Sequence, residues 1–235
     1  MLSTILFILL ILSGVAFAVF GKKLTIPAAI SGAVLCTCIF IGVGWIGVAL
    51  MTAFFVIGTL VTSWKKNLKQ AIGLAQENKG RRTVGQVLAN GGAGGALGMM
   101  AILFPQQASL FLFLIAAAFS SATADTVASE LGSVYGKRFY DILSFRKVQR
   151  GPDGVISVEG ILFGMIGSTI IATIYTGNKG FDASFFWIIF AGTIGNLADS
   201  LFGATLERKG VLHNDAVNFL NTVIAVATAY LSQLF

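Results

Sequence analysis

Eight long apolar stretches, separated by short polar segments, constrain this chain more than any other feature of its sequence. About 20 apolar residues cross the roughly 30 Å hydrocarbon core of a bilayer as a helix. Because backbone groups in lipid must be paired within the chain, single stretches of this length are stable there as helices. Only 11% of the residues are charged, against about 25% in soluble domains. We therefore predict an all-α polytopic membrane protein with one transmembrane domain. Its spans are expected at about 1–20, 24–41, 45–64, 85–104, 108–131, 158–176, 184–206 and 215–235.

The basic residues lie almost entirely on one side of these spans. With the N-terminus outside, all of the 16 Lys and Arg residues except Lys179 fall in cytoplasmic loops. Short cytoplasmic loops carry an excess of Lys and Arg, so this orientation is favoured. It places both termini outside, makes 65–84 and 133–157 the two longer cytoplasmic loops, and indicates the cell membrane as the location. Because topology explains the net charge of +6, nucleic acid is not expected as a partner.

Two of the spans end in similar acidic stretches. Residues 120–132 carry Asp125 and Glu130 among hydroxyl side chains, and residues 195–204 carry Asp199 in a matching Ala-Asp-(Thr/Ser) sequence. Acidic residues within membrane spans are costly and usually functional. Each stretch closes a two-helix segment, at 85–132 and 158–204, so the similarity also predicts a parallel repeat of helical hairpins. Both acidic stretches fall towards the cytoplasmic ends of their spans.

Helical spacing decides which of these side chains can share a ligand. Asp125 and Ser129 lie on one face of the helix, while Thr126 and Glu130 lie on the adjacent face. From a regular helix, Asp125 and Glu130 point about 140° apart. Either the helix ends near Ser129, or Glu130 binds a second partner. Carboxylates with hydroxyl and amide neighbours form an oxygen site that suits Mg²⁺. The alternative is that each acid pairs with an arginine or caps a helix.

Other polar residues flank these stretches on the predicted cytoplasmic side. Arg81 and Arg82 lead into Gln86 and Asn90, which form a polar face that enters the membrane. The basic residues of 65–84 indicate topology and attraction to lipid headgroups, and these two arginines are best placed to contact phosphate. The glycines at 91–95 have the spacing of close helix packing. The alternative is a backbone that lets a phosphate approach.

Two later segments each allow two interpretations. Gly151, Gly154 and Ser157 lie in a basic loop, where a glycine-rich segment either cradles an anion or simply turns. Asn214 and Asn218 begin the last span, and Asn214 also suits a helix N-cap.

The last span also carries an asparagine further from its start. Asn218 and Asn221 lie deeper than Asn214 and share its face. A buried amide is costly without hydrogen bonds, so both side chains are expected to find partners within the bundle.

Taken in order, these motifs resemble the blocks of a known family. They are Arg81-Arg82 before Gln86-Val87-Leu88-Ala89-Asn90-Gly91, Asp125-Thr126-x-x-Ser129-Glu130-x-Gly132, Gly151-x-x-Gly154-x-x-Ser157, Asp199-Ser200-x-x-Gly203-Ala204-Thr205 and Asn214-Asp215-x-x-Asn218. They are similar to the phytyl-phosphate kinase family of integral membrane proteins, and they extend over more than half of the chain. Pro152-Asp153 departs from the pattern of that family.

The resemblance implies an enzyme that moves a phosphoryl group from a nucleoside triphosphate, with CTP favoured, to a prenyl monophosphate such as phytyl or geranylgeranyl phosphate. It implies Asp125, Asp199 and Glu130 as catalytic Mg²⁺ ligands at the cytoplasmic face. Membrane lipids surround the site, and the other motif residues contact the nucleotide and the lipid phosphate. Those residues are Arg81, Arg82, Gln86, Asn90, Thr126, Ser129, Gly151, Gly154, Ser157, Asn196, Ser200, Asn214 and Asn218. A secondary transporter using intramembrane acids is the alternative, although transport sites usually lie near the midplane.

Overall fold

The computed structural model describes residues 1–71 and 80–234, except the side chain of Asn178. Within these residues eight helices are long and apolar enough to cross a membrane, which confirms the predicted all-α polytopic fold. The first are α1 (Leu2–Phe20), α2 (Ile26–Val43) and α3 (Trp45–Ser63), followed by a short helix, α4 (Lys66–Ala71). The others are α5 (Val84–Leu103), α6 (Ala108–Tyr135), α7 (Val158–Lys179), α8 (Ala183–Phe202) and α9 (Asn214–Leu231).

Some predictions are not addressed by this architecture. Residues 72–79 of the predicted loop 65–84, and Phe235 of the last predicted span, lie outside the described residues. The orientation of the helices across the membrane and the hairpin repeat stay predictions.

Helix α6 is the centre of the bundle. In its membrane-length stretch 83% of the residues are buried, compared with 11% in α1. Helices α3, α5, α7, α8 and α9 all pack against it. The alanines at 116–118 are buried and small enough to let these neighbours approach closely. A buried hydroxyl bonds across the contact, since Ser120 Oγ donates to the carbonyl of Ile188 at 3.0 Å. The acidic end of α6 therefore lies where several helices converge.

Helix α5 packs against α2 through its glycines. A Cβ at Gly95 would meet the side chain of Leu35, and a Cβ at Gly98 would meet the backbone of Ile39 at 2.8 Å. Larger residues would push the two helices apart, as at small-residue contacts between membrane helices generally. Close helix packing is thus the interpretation that the structure supports for the glycine-rich part of α5.

The turn between α1 and α2 is bonded to the segment that precedes α5. Leu24 and Arg82 form a parallel β-bridge. The Arg82 N–H donates to the carbonyl of Lys23 at 2.9 Å, and the Thr25 N–H donates to the carbonyl of Arg82 at 3.1 Å. Thr83 then caps α5, with its hydroxyl accepting from the N–H of Gln86. The backbone at Arg82 is held on both sides before the helix begins.

A small antiparallel sheet fills the predicted loop 133–157. Its strands are β1 (Phe139–Asp141), β2 (Lys147–Val148) and β3 (Val155–Ser157), in the order β2-β1-β3. Strands of two or three residues are too short to produce a detectable alternation of apolar and polar residues. The sequence therefore predicts only a loop here.

The sheet is attached to the end of α8. After Phe202 the chain makes a π-helical turn, Gly203–Glu207, and Arg208 follows it. Arg208 Nη1 donates to Asp141 Oδ2 at 2.6 Å. In the turn between β2 and β3, Gly154 adopts a positive φ of 75°, and a Cβ there would collide with the backbone of Ala204. The β2–β3 turn therefore sits directly on the end of α8.

Candidate functional site

A cavity of about 940 Å³, here called the main cavity, opens where α5, α7 and α9 begin and α6 and α8 end. Fifteen of the sixteen predicted site residues line it. They are Arg82, Gln86, Asn90, Asp125, Thr126, Ser129, Glu130, Gly151, Gly154, Ser157, Asn196, Asp199, Ser200, Asn214 and Asn218. The exception is Arg81, which lines a neighbouring second cavity of about 450 Å³. Five separated motifs therefore meet around one space.

Asp125 of α6 and Asp199 of α8 both line the main cavity, and their carboxylates are close enough to interact with each other. Asp199 is fixed from behind, because Asn221 Nδ2 donates to its Oδ1 at 2.8 Å. Asn221 Oδ1 in turn accepts from Ser121 Oγ at 3.0 Å. This hydrogen-bonded chain joins α6, α8 and α9 and gives the buried Asn221 the partners that its position requires.

The absence of a side chain at Gly195 makes room for this hydrogen-bonded chain. A Cβ there would collide with Ser121 Oγ and would approach the carbonyl oxygen of Asn221 to 2.8 Å. A glycine one turn before Asp199 thus lets α8 come close enough to α6 and α9 for the two aspartates to interact.

Glu130 is engaged on another side of α6. Helix α6 continues without interruption to Tyr135, so Glu130 points away from Asp125 as its spacing predicts. Its Oε2 pairs with Lys69 Nζ at 2.5 Å, and the two side chains are only 8% and 3% exposed. Of the two alternatives that helical spacing left open, the structure shows a second partner for Glu130 and not a helix that ends at Ser129.

Lys69 also closes the end of α3. Its ammonium donates to the carbonyls of Val61 at 2.9 Å and Thr62 at 3.0 Å. These carbonyls belong to the last turn of α3, where helix carbonyls lack the usual donor four residues on, and the Val61 carbonyl also accepts from the Trp64 N–H at 3.2 Å. The sequence predicts that Lys69, like the other basic residues of 65–84, serves topology and attraction to lipid headgroups, but in the structure it is buried and connects α3, α4 and α6.

Of the three carboxylates that the sequence predicts as metal ligands, the structure pairs Glu130 with Lys69 and leaves Asp125 and Asp199 together in the main cavity. Within the described ranges, no group of three Asp, Glu, His or Cys side chains is close enough to hold a metal ion. Asp125 and Asp199 remain as a pair, while Glu130 lies in the wall between the two cavities and lines both.

Arg81 and Arg82 are adjacent in sequence but serve different cavities. Arg82 enters the main cavity with its guanidinium 5.3 Å from the centre of the Phe54 ring and against Gly58. Burial lowers the pKa of Arg82, and the nearby Glu130 carboxylate opposes that shift. Arg81 turns the other way, with Nη2 donating to the carbonyl of Leu24 at 3.5 Å. The β-bridge between Leu24 and Arg82 holds the backbone so that the two arginine side chains enter different cavities.

Most of the other predicted polar residues use their donors locally. Thr126 Oγ1 donates to the carbonyl of Ala122 at 2.8 Å, and Asn90 Nδ2 donates to the carbonyl of Gln86 at 3.0 Å. The same holds for Ser129, Ser200 and Asn218, which donate to Thr126, Asn196 and Asn214 respectively. Ser157 is the exception, because its Oγ accepts from the Gly160 N–H as the N-cap of α7. With these donors used inside the protein, the side chains present mainly oxygen acceptors to the cavity, which favours a cation.

Three acids in the main cavity were not predicted as site residues. Asp153 comes from the β2–β3 turn, Glu207 from the π-helical turn, and Asp215 from the first turn of α9. Asp215 reaches across to α5, where its carboxylate lies against Gly85. Only Asp215 carried a signal, since it follows Asn214 in the last motif. The other two depend on turns whose shape a hydropathy pattern does not reveal.

The charges of the main cavity are therefore strongly unbalanced. Within the described ranges, six carboxylates line it, from Asp125, Glu130, Asp153, Asp199, Glu207 and Asp215. Two arginines, Arg82 and Arg150, oppose them. A space of this composition attracts cations and repels a bare polyphosphate.

Comparison with known proteins identifies related membrane proteins. The family described as "Integral membrane protein DUF92" matches residues 8–226. The chloroplastic protein VTE6 of Arabidopsis thaliana is 34% identical over 200 residues, which cover 82% of this chain and 60% of that protein. An uncharacterised membrane protein of Synechocystis is 36% identical over 219 residues, covering 90% of this chain and 84% of that protein. No solved structure shows a significant match.

Proposed function

This chain belongs to the DUF92 family of integral membrane proteins, and we propose that it is a phosphotransferase acting on a prenyl monophosphate. The donor is a nucleoside triphosphate, with CTP favoured, and the acceptor is a lipid such as phytyl or geranylgeranyl phosphate. The observation that carries the proposal is the pair Asp125 and Asp199, inside a cavity that gathers nearly all of the residues resembling the phytyl-phosphate kinase motifs.

The donor set of the main cavity fits Mg²⁺. Two carboxylates in contact repel each other unless a proton or a cation lies between them. Asp125 and Asp199 supply hard oxygen ligands, and Mg²⁺ commonly binds one or two carboxylates together with substrate phosphates. Bound by this pair, Mg²⁺ would neutralise negative charge on the phosphate oxygens. Without such a cation, six carboxylates would oppose entry of a triphosphate.

The reaction needs charge compensation and positioning more than acid–base chemistry. An oxygen of the prenyl monophosphate bonds to the γ-phosphorus, while the bond from that phosphorus to the bridging oxygen of the β-phosphate breaks. The electron pair stays on the nucleoside diphosphate, and the prenyl diphosphate is the other product. Because the attacking oxygen is already anionic, no strong general base is required.

The residues of this chain have separate tasks in the proposed reaction. Asn221 holds one oxygen of Asp199, so this carboxylate keeps its orientation when substrates exchange. Arg82, held by backbone bonds and buried beside Phe54, supplies a fixed positive charge for a phosphate. Glu130 is a positioning residue, because its ion pair with Lys69 anchors α6 to α3 and α4. The prenyl chain lies among the helices, and the reaction takes place at the cytoplasmic face of the cell membrane.

The proposal is tested by turnover of purified protein in lipid nanodiscs. With Mg²⁺, CTP labelled at the γ-phosphate and geranylgeranyl phosphate, we expect a labelled prenyl diphosphate. Asp125→Asn and Asp199→Asn each remove one charge with little change of shape, and each should lower turnover by about 100-fold or more.

Asp182→Asn is the matched control for these two variants. Asp182 caps α8 at the opposite end of the bundle by accepting from the Ser184 N–H, so this variant should retain turnover. Full activity in both site variants would exclude the assigned site. Proton-coupled uptake into vesicles without any turnover would favour the secondary transporter instead.

A further inference from the structure

The second cavity, of about 450 Å³, differs from the main cavity in the sign of its charge. It lies where α1 and α3 end and α4 begins. Among the described residues, five basic ones line it: Lys22, Lys23, Lys66, Lys69 and Arg81. Glu130 is its one carboxylate among the described lining residues, and that carboxylate is paired with Lys69. Two adjacent cavities of opposite charge therefore share Glu130 as part of their common wall.

Two buried polar atoms in this cavity lack a hydrogen-bond partner among the described residues. They are Thr62 Oγ1 and Arg81 Nε, and both residues belong to the cavity wall. Leaving a buried donor unpaired is costly, so native proteins usually satisfy such groups with protein, water or a ligand. In the described part of the chain only one further side-chain atom shares this condition, Glu159 Oε2 at the start of α7. The concentration of two such donors in one basic cavity indicates a bound acceptor.

The geometry of the donors is set before any ligand binds. Arg81 Nη2 is directed to the carbonyl of Leu24, which orients the rest of the guanidinium. Lys23 Nζ donates to Ser63 Oγ at 3.1 Å, and Lys69 is fixed by Glu130 and two carbonyls. A planar guanidinium with neighbouring ammonium groups and a hydroxyl is the set of donors that recognises tetrahedral oxyanions.

We propose that the second cavity binds a phosphate group. The group is either the headgroup of an anionic membrane lipid or a soluble phosphate. The cavity lies at the ends of membrane-length helices, and basic pockets at this level bind anionic headgroups. A soluble phosphate reaches the same level from the water. In both cases the Arg81 guanidinium and the Thr62 side chain, which belong to the cavity wall, turn towards the phosphate oxygens, and the lysines supply the compensating charge.

Binding measurements on the full-length protein test this proposal without reference to turnover. Protein in nanodiscs of phosphatidylcholine alone is titrated with inorganic phosphate, and thermal unfolding is recorded against potassium chloride of the same ionic strength. In a separate arm, native mass spectrometry counts phosphatidylglycerol molecules retained by the protein in detergent. We expect specific stabilisation by phosphate, specific retention of phosphatidylglycerol, or both.

Arg81→Gln and Thr62→Val decide whether this cavity is responsible. Each removes one of the unpaired donors, and each should weaken binding by about tenfold, as is typical for a hydrogen bond to a charged group. Lys209→Gln is the control, because Lys209 is an exposed cation that lines neither cavity. Thr62→Val conserves the volume of the side chain. If Arg81→Gln does not fold, Thr62→Val alone decides whether the second cavity binds the phosphate.

The two arms separate the two sources of phosphate. Loss of lipid retention in the variants assigns the site to a headgroup, and loss of stabilisation by phosphate assigns it to a soluble anion. The proposal is overturned if the wild-type protein binds neither probe specifically. It is equally overturned if both site variants bind as well as the wild type and the Lys209 control.

Discussion

The ion pair between Lys69 and Glu130 gives a quantitative prediction about what holds the wall between the two cavities. Its atoms are 2.5 Å apart and its side chains are 3% and 8% exposed. Removing one partner of a buried ion pair typically costs about 3–5 kcal/mol, because the other charge stays buried. We expect Glu130→Gln to lower the free energy of unfolding by about 3 kcal/mol, since the Lys69 ammonium keeps two carbonyl acceptors.

Lys69→Met should cost more than Glu130→Gln. It removes the ammonium that pairs with the Glu130 carboxylate and also removes the donor to the last carbonyls of α3, each such bond contributing about 1 kcal/mol. We therefore expect about 5 kcal/mol for this variant. Additive effects would bring the double variant to about 8 kcal/mol. If the charges act as a pair, the double variant should lose only about 5 kcal/mol, which is a coupling energy of about 3 kcal/mol.

Reversible unfolding in mixed micelles, followed by circular dichroism, measures these values in the four proteins of the cycle. Lys137→Met removes an exposed lysine outside both cavities and should change the free energy of unfolding by less than about 0.5 kcal/mol. A coupling energy below about 0.5 kcal/mol would show that Glu130 acts independently of Lys69. The role of Glu130 as an anchor of α6 would then be refuted.

Two further predictions concern how the site is assembled. Gly195→Ala should lower the free energy of unfolding by about 1–3 kcal/mol through overpacking, because its methyl group meets Ser121 and Asn221. The control is Gly14→Ala, which has open space around it and should be neutral or stabilising. Equal losses of stability in both variants would contradict this reasoning. The hydrogen bond from Arg208, followed by those from Ser144, lowers the pKa of Asp141 from 3.8 to about 2. Because the folded pKa is depressed, the contribution of Asp141 to stability is complete above about pH 4 and is lost as the pH falls towards 2. Melting temperatures of wild type and Arg208→Gln should differ by a constant amount above that range and converge below it; a difference unaffected by pH would contradict the assignment.

The helices and the lining of the main cavity could largely be predicted from the sequence. Hydropathy alone locates eight spans, because each must be long and apolar to cross a bilayer. The acids at 125 and 199 stand out because charges are expensive at these places. Their meeting in one cavity follows from both lying near the ends of spans that run in the same direction.

The partners of these residues could not be predicted, because they depend on contacts between distant segments. Lys69 and Glu130 are 61 positions apart, and nothing in the loop sequence distinguishes Lys69 from its exposed neighbours. Asn221 was expected to need a partner, but its bond to Asp199 depends on how closely α8 approaches α9. Arg81 and Arg82 looked equivalent, and only the β-bridge at Leu24 sends them to different cavities.

The central position of α6 also sets the order in which the protein can be completed during synthesis. Its hydroxyls at Ser120 and Ser121 bond to Ile188 of α8 and Asn221 of α9, which the ribosome makes later. Until α9 enters the bilayer, the Asn221 amide cannot donate to Asp199. Polar groups on α6 and α8 then face lipid without hydrogen-bond partners, which costs free energy. A chain that stops before residue 214 is therefore an unfinished bundle with its acids exposed. Such a chain should be recognised and degraded by membrane proteases and should not accumulate as a partly active fragment.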